Sequence, residues 1–153
     1  MHKAVILARG LGTRMRKADN DAAMTQEQAA IAATGVKAMI PIDRPFLDYV
    51  LHDLAETGYT SVCLVIGPEH DKVRDYYGRE LKPRRLRISF AIQAKPLGTA
   101  DAVAAAASFA GNDPVLVINS DNYYPPIALS SLRELTTSGL AGFERDAMLA
   151  GSN

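Results

Sequence analysis

The sequence predicts an α/β domain with a mostly parallel sheet. Short apolar runs rich in β-branched residues occur at 4–7, 61–66 and 114–118, and such runs are typical of strands that are buried on both faces. A glycine-rich turn follows the first run, and helical patterns separate the later ones. The length suits a single core, so we predict that residues 1–153 form one domain.

The first strand leads into a predicted phosphate-binding loop. Gly10 and Gly12 permit positive φ and let backbone N–H groups approach an anion closely. Thr13 adds a hydroxyl, and Arg14 adds a fork of donors that suits phosphate oxygens. Met15 stands where the dinucleotide fingerprint needs its third glycine, and the P-loop pattern is missing as well. Ordinary turn chemistry is the alternative explanation for the two glycines.

The segments after this loop carry helix and strand signals in turn. A polar stretch at 17–35 predicts a loop with a short helix near 26–34, which a capping box would begin. Apolar residues spaced three and four apart predict helices over 45–57 and 69–79. The remaining predicted elements are an edge strand at 86–92, a helix capped by Thr99 and running through Phe109, a most-buried strand at 114–118, a helix at 127–137 ended by Gly139, and a further strand within 140–149.

Composition excludes several classes of protein. The net charge is +0 and the pI is about 6.8, so no overall field favours nucleic acid or an anionic membrane. The single cysteine, Cys63, lies in an apolar run, which indicates a buried thiol in a reducing compartment. Three scattered histidines and one cysteine do not make a zinc site. Without a membrane-length apolar run or a signal-peptide layout, we expect a cytoplasmic protein.

Five segments, spread over most of the chain, resemble the sugar-1-phosphate nucleotidylyltransferases in the same order. They are Leu7-Ala8-x-Gly10-x-Gly12-Thr13-Arg14-Met15, Lys37-Ala38-Met39-Ile40-Pro41-Ile42, Pro45-Phe46-Leu47, Gln93 with Pro96-Leu97-Gly98-Thr99-Ala100-Asp101-Ala102, and Asn119-Ser120-Asp121. The resemblance implies a Rossmann-like three-layer α/β/α nucleotidyltransferase fold with a mostly parallel central sheet. It also leads us to expect a C-terminally incomplete chain that lacks the family's sugar-binding half. An unprotected sheet edge would then favour pairing with another chain, and hence a homo-oligomer.

The resemblance further implies a role for particular residues. Arg14, Lys37 and Asp121 would be catalytic, and Asp121 would also hold Mg²⁺. The implied nucleotide-binding residues are Leu7, Ala8, Gly10, Gly12, Thr13, Gln93, Pro96, Gly98 and Thr99. In the family, a glutamine at this position pairs with the nucleobase, so the resemblance makes Gln93 and Gly98 candidates for reading the base, with an ordinary surface position as the alternative for Gln93. Taken without the resemblance, Lys37 would be a solvated surface residue and Asp121 a turn cap. Arg9 departs from the family, which more often has glycine or alanine there, and would either narrow the space near the base or contact a phosphate.

The reaction implied by the resemblance is transfer of a nucleoside monophosphate from a nucleoside triphosphate to a sugar 1-phosphate, with release of pyrophosphate. A non-catalytic nucleotide-binding module is the first alternative, because the sugar-binding half is expected to be absent. An NAD-dependent oxidoreductase is the second, and Met15 disfavours it.

Overall fold

The computed structural model describes residues 1–10, 39, 43–81 and 83–150. The predicted helix near 26–34 lies outside these residues. So do four of the predicted site residues: Gly12, Thr13, Arg14 and Lys37.

In the described part of the chain, four parallel strands form one sheet, which confirms the predicted class. The strands are β1 (Lys3–Leu7), β2 (Ser61–Ile66), β3 (Arg87–Ile92) and β4 (Val115–Asn119). Their order across the sheet is β3-β2-β1-β4, and each neighbouring pair is parallel. As predicted, β3 lies at an edge of the sheet that the described residues form.

Helices connect the strands. They are α1 (Phe46–Glu56), α2 (Asp71–Asp75), α3 (Thr99–Ala105), α4 (Ala107–Ala110), α5 (Pro126–Arg133) and α6 (Arg145–Ala150). A π-helical turn at Tyr76–Glu80 follows α2, and the N–H of Leu81 donates to the carbonyl of Tyr76 at 2.7 Å. No helix in the described ranges is long and apolar enough to cross a membrane.

Alternate residues of the central strands enter two different cores. Ala4 and Ile6 of β1 pack in the core that contains the buried residues of α1 and α5. Val5 faces the other way and packs with Ala102 and Ala106 of the α3–α4 segment. Helices thus cover both faces of the sheet, which is the three-layer arrangement that a buried parallel sheet requires.

Two strand predictions are wrong. The most buried strand is β2 and not β4: every residue of β2 is buried, whereas Val117 of β4 is 39% exposed. Apolar content did not reveal that β2 has strands on both sides while β4 ends the described sheet. The strand predicted within 140–149 is also wrong, because the structure places α6 there and leaves Leu140 85% exposed.

Several boundaries differ from the sequence prediction. Gly98, and not Thr99, caps α3, and no side-chain hydrogen bond closes that cap. The helix predicted through Phe109 is interrupted at Ala106, and α5 ends at Arg133, before the predicted Gly139. The helix propensity of the local sequence determines these helix ends only weakly, because packing against the sheet decides which terminal helical turns are stable.

Candidate active site at the carboxyl ends of the strands

The order of the four described strands contains one reversal, and it lies between β1 and β4. From β1 the chain moves outward to β2 and then β3, and it returns across the sheet through α3 and α4 to β4 on the other side. Open α/β sheets bind ligands in the crevice beyond the carboxyl ends at such a reversal.

A cavity of about 440 Å³ opens at this crevice, a size that suits a small ligand. Its lining residues are Leu7, Ala8, Arg9, Gly10, Gln93, Pro96, Gly98, Thr99, Ala102, Asn119, Ser120 and Asp121. Every predicted site residue that the structure describes is among them. The topology therefore brings together residues that are more than one hundred positions apart, although their individual roles stay predictions.

The wall formed by β1 ends in an exposed glycine. Hydrogen bonds to both neighbours continue to the end of the strand: Ala8 N–H donates to Val65 O at 2.8 Å, and Ser120 N–H donates to Leu7 O at 3.2 Å. Gly10 follows, and a Cβ built on it would meet no described atom within 4 Å. Beyond the hydrogen-bonded end of β1, Gly10 thus lies at the open cavity with its backbone and no side chain.

Gln93 is buried beside the cavity, which rules out the alternative of a solvated surface residue. It is 4% exposed, and its N–H donates to Ile66 O at 2.9 Å, so the β2–β3 pairing extends one residue beyond β3. Its side-chain Nε2 donates to Gly98 O at 3.1 Å and to Asp101 Oδ2 at 2.7 Å. The amide is therefore tied to the segment that begins α3.

Gly98 supplies a bend that few other residues could make. Its φ of +105° and ψ of −177° lie in a region that is essentially restricted to glycine. Its carbonyl accepts from Ala102 N–H at 3.1 Å, as well as from Gln93. The unusual backbone therefore serves the start of α3 and the Gln93 contact together.

Arg9 is a site residue whose contacts the sequence did not reveal. Its side chain is 8% exposed, its Nη1 donates to the Gln93 carbonyl, and its Nε lies 3.4 Å from Glu69 Oε1. The pKa of Glu69 is held below its ordinary value, first by its own backbone N–H and then by the charge of Arg9. Arg9 links the ends of β1 and β3, so its described contacts are with the protein itself. Its position directly after the first strand was the signal available from sequence.

The end of β4 supplies the acidic group. Asn119 N–H donates to the Tyr124 hydroxyl at 3.0 Å, which shapes the turn, and Asp121 is exposed on the cavity wall. Among the described residues, no group of three or more His, Cys, Asp or Glu side chains could enclose a metal.

A family comparison agrees with this geometry. The model of the nucleotidyl transferase family matches residues 3–139, so the chain belongs to this family.

Two curated relatives and one solved structure are similar to the chain. It is 30% identical over 132 residues to D-glycero-alpha-D-manno-heptose 1-phosphate guanylyltransferase of Campylobacter jejuni, with 86% of this chain and 52% of the relative covered. It is also 30% identical over 133 residues to glucose-1-phosphate thymidylyltransferase of Streptomyces griseus, with 86% and 34% covered. The chain thus spans between a third and about half of the length of these relatives. The crystal structure of a UDP-glucose pyrophosphorylase complexed with UDP-glucose matches with a TM-score of 0.66 at 21% identity, covering 86% of this chain and 52% of that one, and shows the shared fold.

Proposed function

We propose that this chain binds a nucleoside triphosphate in the cavity beyond β1, β3 and β4 and supports transfer of its nucleoside monophosphate to a sugar 1-phosphate. The observation that carries the proposal is the convergence of Gly10, Gln93 and Asp121 on one cavity at the reversal of strand order. The matched relatives are named as guanylyl- and thymidylyltransferases of sugar 1-phosphates, which supports the same reaction class.

The proposed reaction is a displacement at phosphorus. An oxygen of the sugar phosphate forms a bond to the α-phosphorus, and the bond from the α-phosphorus to the bridging oxygen of the pyrophosphate breaks. The attacking phosphate is already ionised, so no general base is needed, and the protein contributes positioning and charge neutralisation.

Gly10 fits a role in holding the triphosphate, because its backbone faces an open cavity without a side chain. Gly12, Thr13 and Arg14 would continue this loop, and removing the guanidinium contact to the leaving pyrophosphate would cost about 2.7–4 kcal/mol of barrier. Lys37 would screen the two phosphates that must approach each other. These four residues lie outside the described part of the chain, and their roles rest on the resemblance.

Mg²⁺ is the proposed cofactor, and the donor set at the β4 end suits it. Asp121 is the carboxylate among the described lining residues. Mg²⁺ binds one or two carboxylates and completes its octahedron with phosphate oxygens and water, whereas an enclosed all-protein site would need more acidic ligands. Bound there, the ion would neutralise phosphate charge and act as a Lewis acid.

The test combines binding with turnover. Isothermal titration of the chain with triphosphates and Mg²⁺ is expected to show binding that Asp121→Asn weakens, while Asp146→Asn, an exposed helical position, leaves it unchanged. Pyrophosphate release with a panel of sugar 1-phosphates then measures transfer. Binding without release under every combination would favour the non-catalytic module, and absence of binding would refute the proposal.

A further inference from the structure

Two acceptors fix the side-chain amide of Gln93 in one orientation. One terminal atom of the amide lies 2.7 Å from Asp101 Oδ2 and 3.1 Å from Gly98 O. Carbonyl and carboxylate oxygens accept hydrogen bonds, so the atom between them must be the nitrogen of the amide. Both amide hydrogens thus have partners within the protein.

The backbone of Gln93 is anchored as well. Its N–H donates to Ile66 O at 2.9 Å, and its carbonyl accepts from Arg9 Nη1. No described residue donates a hydrogen bond to Oε1, although Gln93 lines the cavity. That oxygen is the polar group that the fixed side chain leaves for a ligand.

We propose that Asp101 is a positioning residue that sets nucleobase preference by holding Gln93 so that only Oε1 meets a bound base. The inference rests on the proposed function, and it concerns which triphosphates the cavity accepts. Asp101 is not itself one of the cavity-lining residues, so it acts through the Gln93 amide.

A fixed acceptor distinguishes bases at the middle of their Watson–Crick edge. The ring nitrogen there carries a hydrogen in uracil, thymine and guanine, and a lone pair in cytosine and adenine. A lone pair opposite Oε1 leaves two acceptors facing each other, and polar sites reject such mismatches strongly. The exocyclic amines of cytosine and adenine reach Oε1 only if the base slides along its edge, which a triphosphate held at Gly10 would oppose. The preferred substrates are therefore triphosphates of uracil, thymine or guanine.

The experiment compares bases of equal ring size on the same chain. Dissociation constants for UTP against CTP, and for GTP against ATP, are measured with Mg²⁺ by isothermal titration. For whichever pair binds, we expect UTP to bind more tightly than CTP, or GTP more tightly than ATP, by about 5- to 150-fold. This range corresponds to leaving one polar group without a hydrogen bond. Asp101→Asn is expected to bring the ratio of the two dissociation constants towards one. Asparagine can present either an oxygen or an NH₂ group to Gln93, so the Gln93 amide could turn over and present its NH₂ group to the base. Asp146→Asn, also in the first turn of a helix, should leave the ratio unchanged.

Two further measurements guard against a merely structural effect. Gln93→Leu removes the acceptor and should lower the affinity for UTP or GTP to that for CTP or ATP. In the wild-type chain, the Gln93 side-chain hydrogens should exchange slowly with solvent, because both are hydrogen-bonded.

The outcomes separate this inference from the function beneath it. Equal binding of both members of each pair by the wild type, or an unchanged preference in Asp101→Asn, would overturn the role of Asp101 while triphosphate binding stands. If no triphosphate binds at all, the proposed function itself fails, and the inference fails with it.

Discussion

Gly10→Ala tests whether the backbone after β1 contacts a ligand. The new Cβ would meet no described atom within 4 Å, and the φ of Gly10 lies outside the left-handed region that favours glycine. Alanine at such a position lowers the conformational entropy of the unfolded chain and raises the free energy of unfolding by about 0.4–1 kcal/mol. For a chain of this length, that corresponds to a Tm higher by about 1–4 °C.

The same substitution should weaken triphosphate binding. The Cβ projects into the cavity and separates the backbone N–H from a phosphate, and a hydrogen bond to a charged group contributes about 1.5–3 kcal/mol. At 1.4 kcal/mol per tenfold, the dissociation constant should rise by about 10- to 150-fold.

Calorimetry measures both effects, by thermal unfolding and by titration with triphosphate and Mg²⁺. Gly142→Ala is the matched control, since its Cβ would also meet no described atom within 4 Å and it lies away from the cavity. Unchanged binding in Gly10→Ala would refute the reasoning, and a large fall in Tm would show that the space is not open.

Three further predictions concern stability. Tyr77→Phe removes the 2.8 Å hydrogen bond to Asp48 Oδ1, so a buried acceptor loses a partner. The free energy of unfolding, measured by denaturant titration, should fall by about 1–3 kcal/mol, and an unchanged value would contradict the prediction. Gly98→Ala should cost about 1–3 kcal/mol from its backbone conformation alone, and stability equal to that of Gly142→Ala would count against it. Burial raises the pKa of Tyr59 to about 12, so the stability that its neutral phenol contributes is present below pH 10 and lost as the pH rises towards 12. The Tm of Tyr59→Phe should therefore fall less between pH 10 and pH 12 than the Tm of the wild type, and an equal fall would disprove the prediction.

The sequence was informative where one residue type satisfies one local requirement. The boundaries of β2 were predicted correctly from an uninterrupted apolar run. By contrast, no local pattern in the sequence indicates that His70 is buried, with its Nδ1 accepting from Gly67 N–H at 3.3 Å.

The features that the sequence did not reveal depend on how the folded chain brings its segments together. The link from Arg9 to Gln93 joins the ends of two strands that are not adjacent in the sheet, and nothing local specifies it. The hydrogen bond from Gln93 to Asp101 also depends on the bend at Gly98. The exposure of β4 reflects strand order, which apolar content does not encode.

An amide chemical-shift titration tests the central claim most directly. The ¹⁵N-labelled chain is titrated with a triphosphate and Mg²⁺, and the account predicts that the largest shifts cluster at Gly10, Gly98 and Asp121, on the three walls of one cavity. Shifts concentrated instead at the opposite end of the sheet, around Thr60 and Asp113, would contradict it.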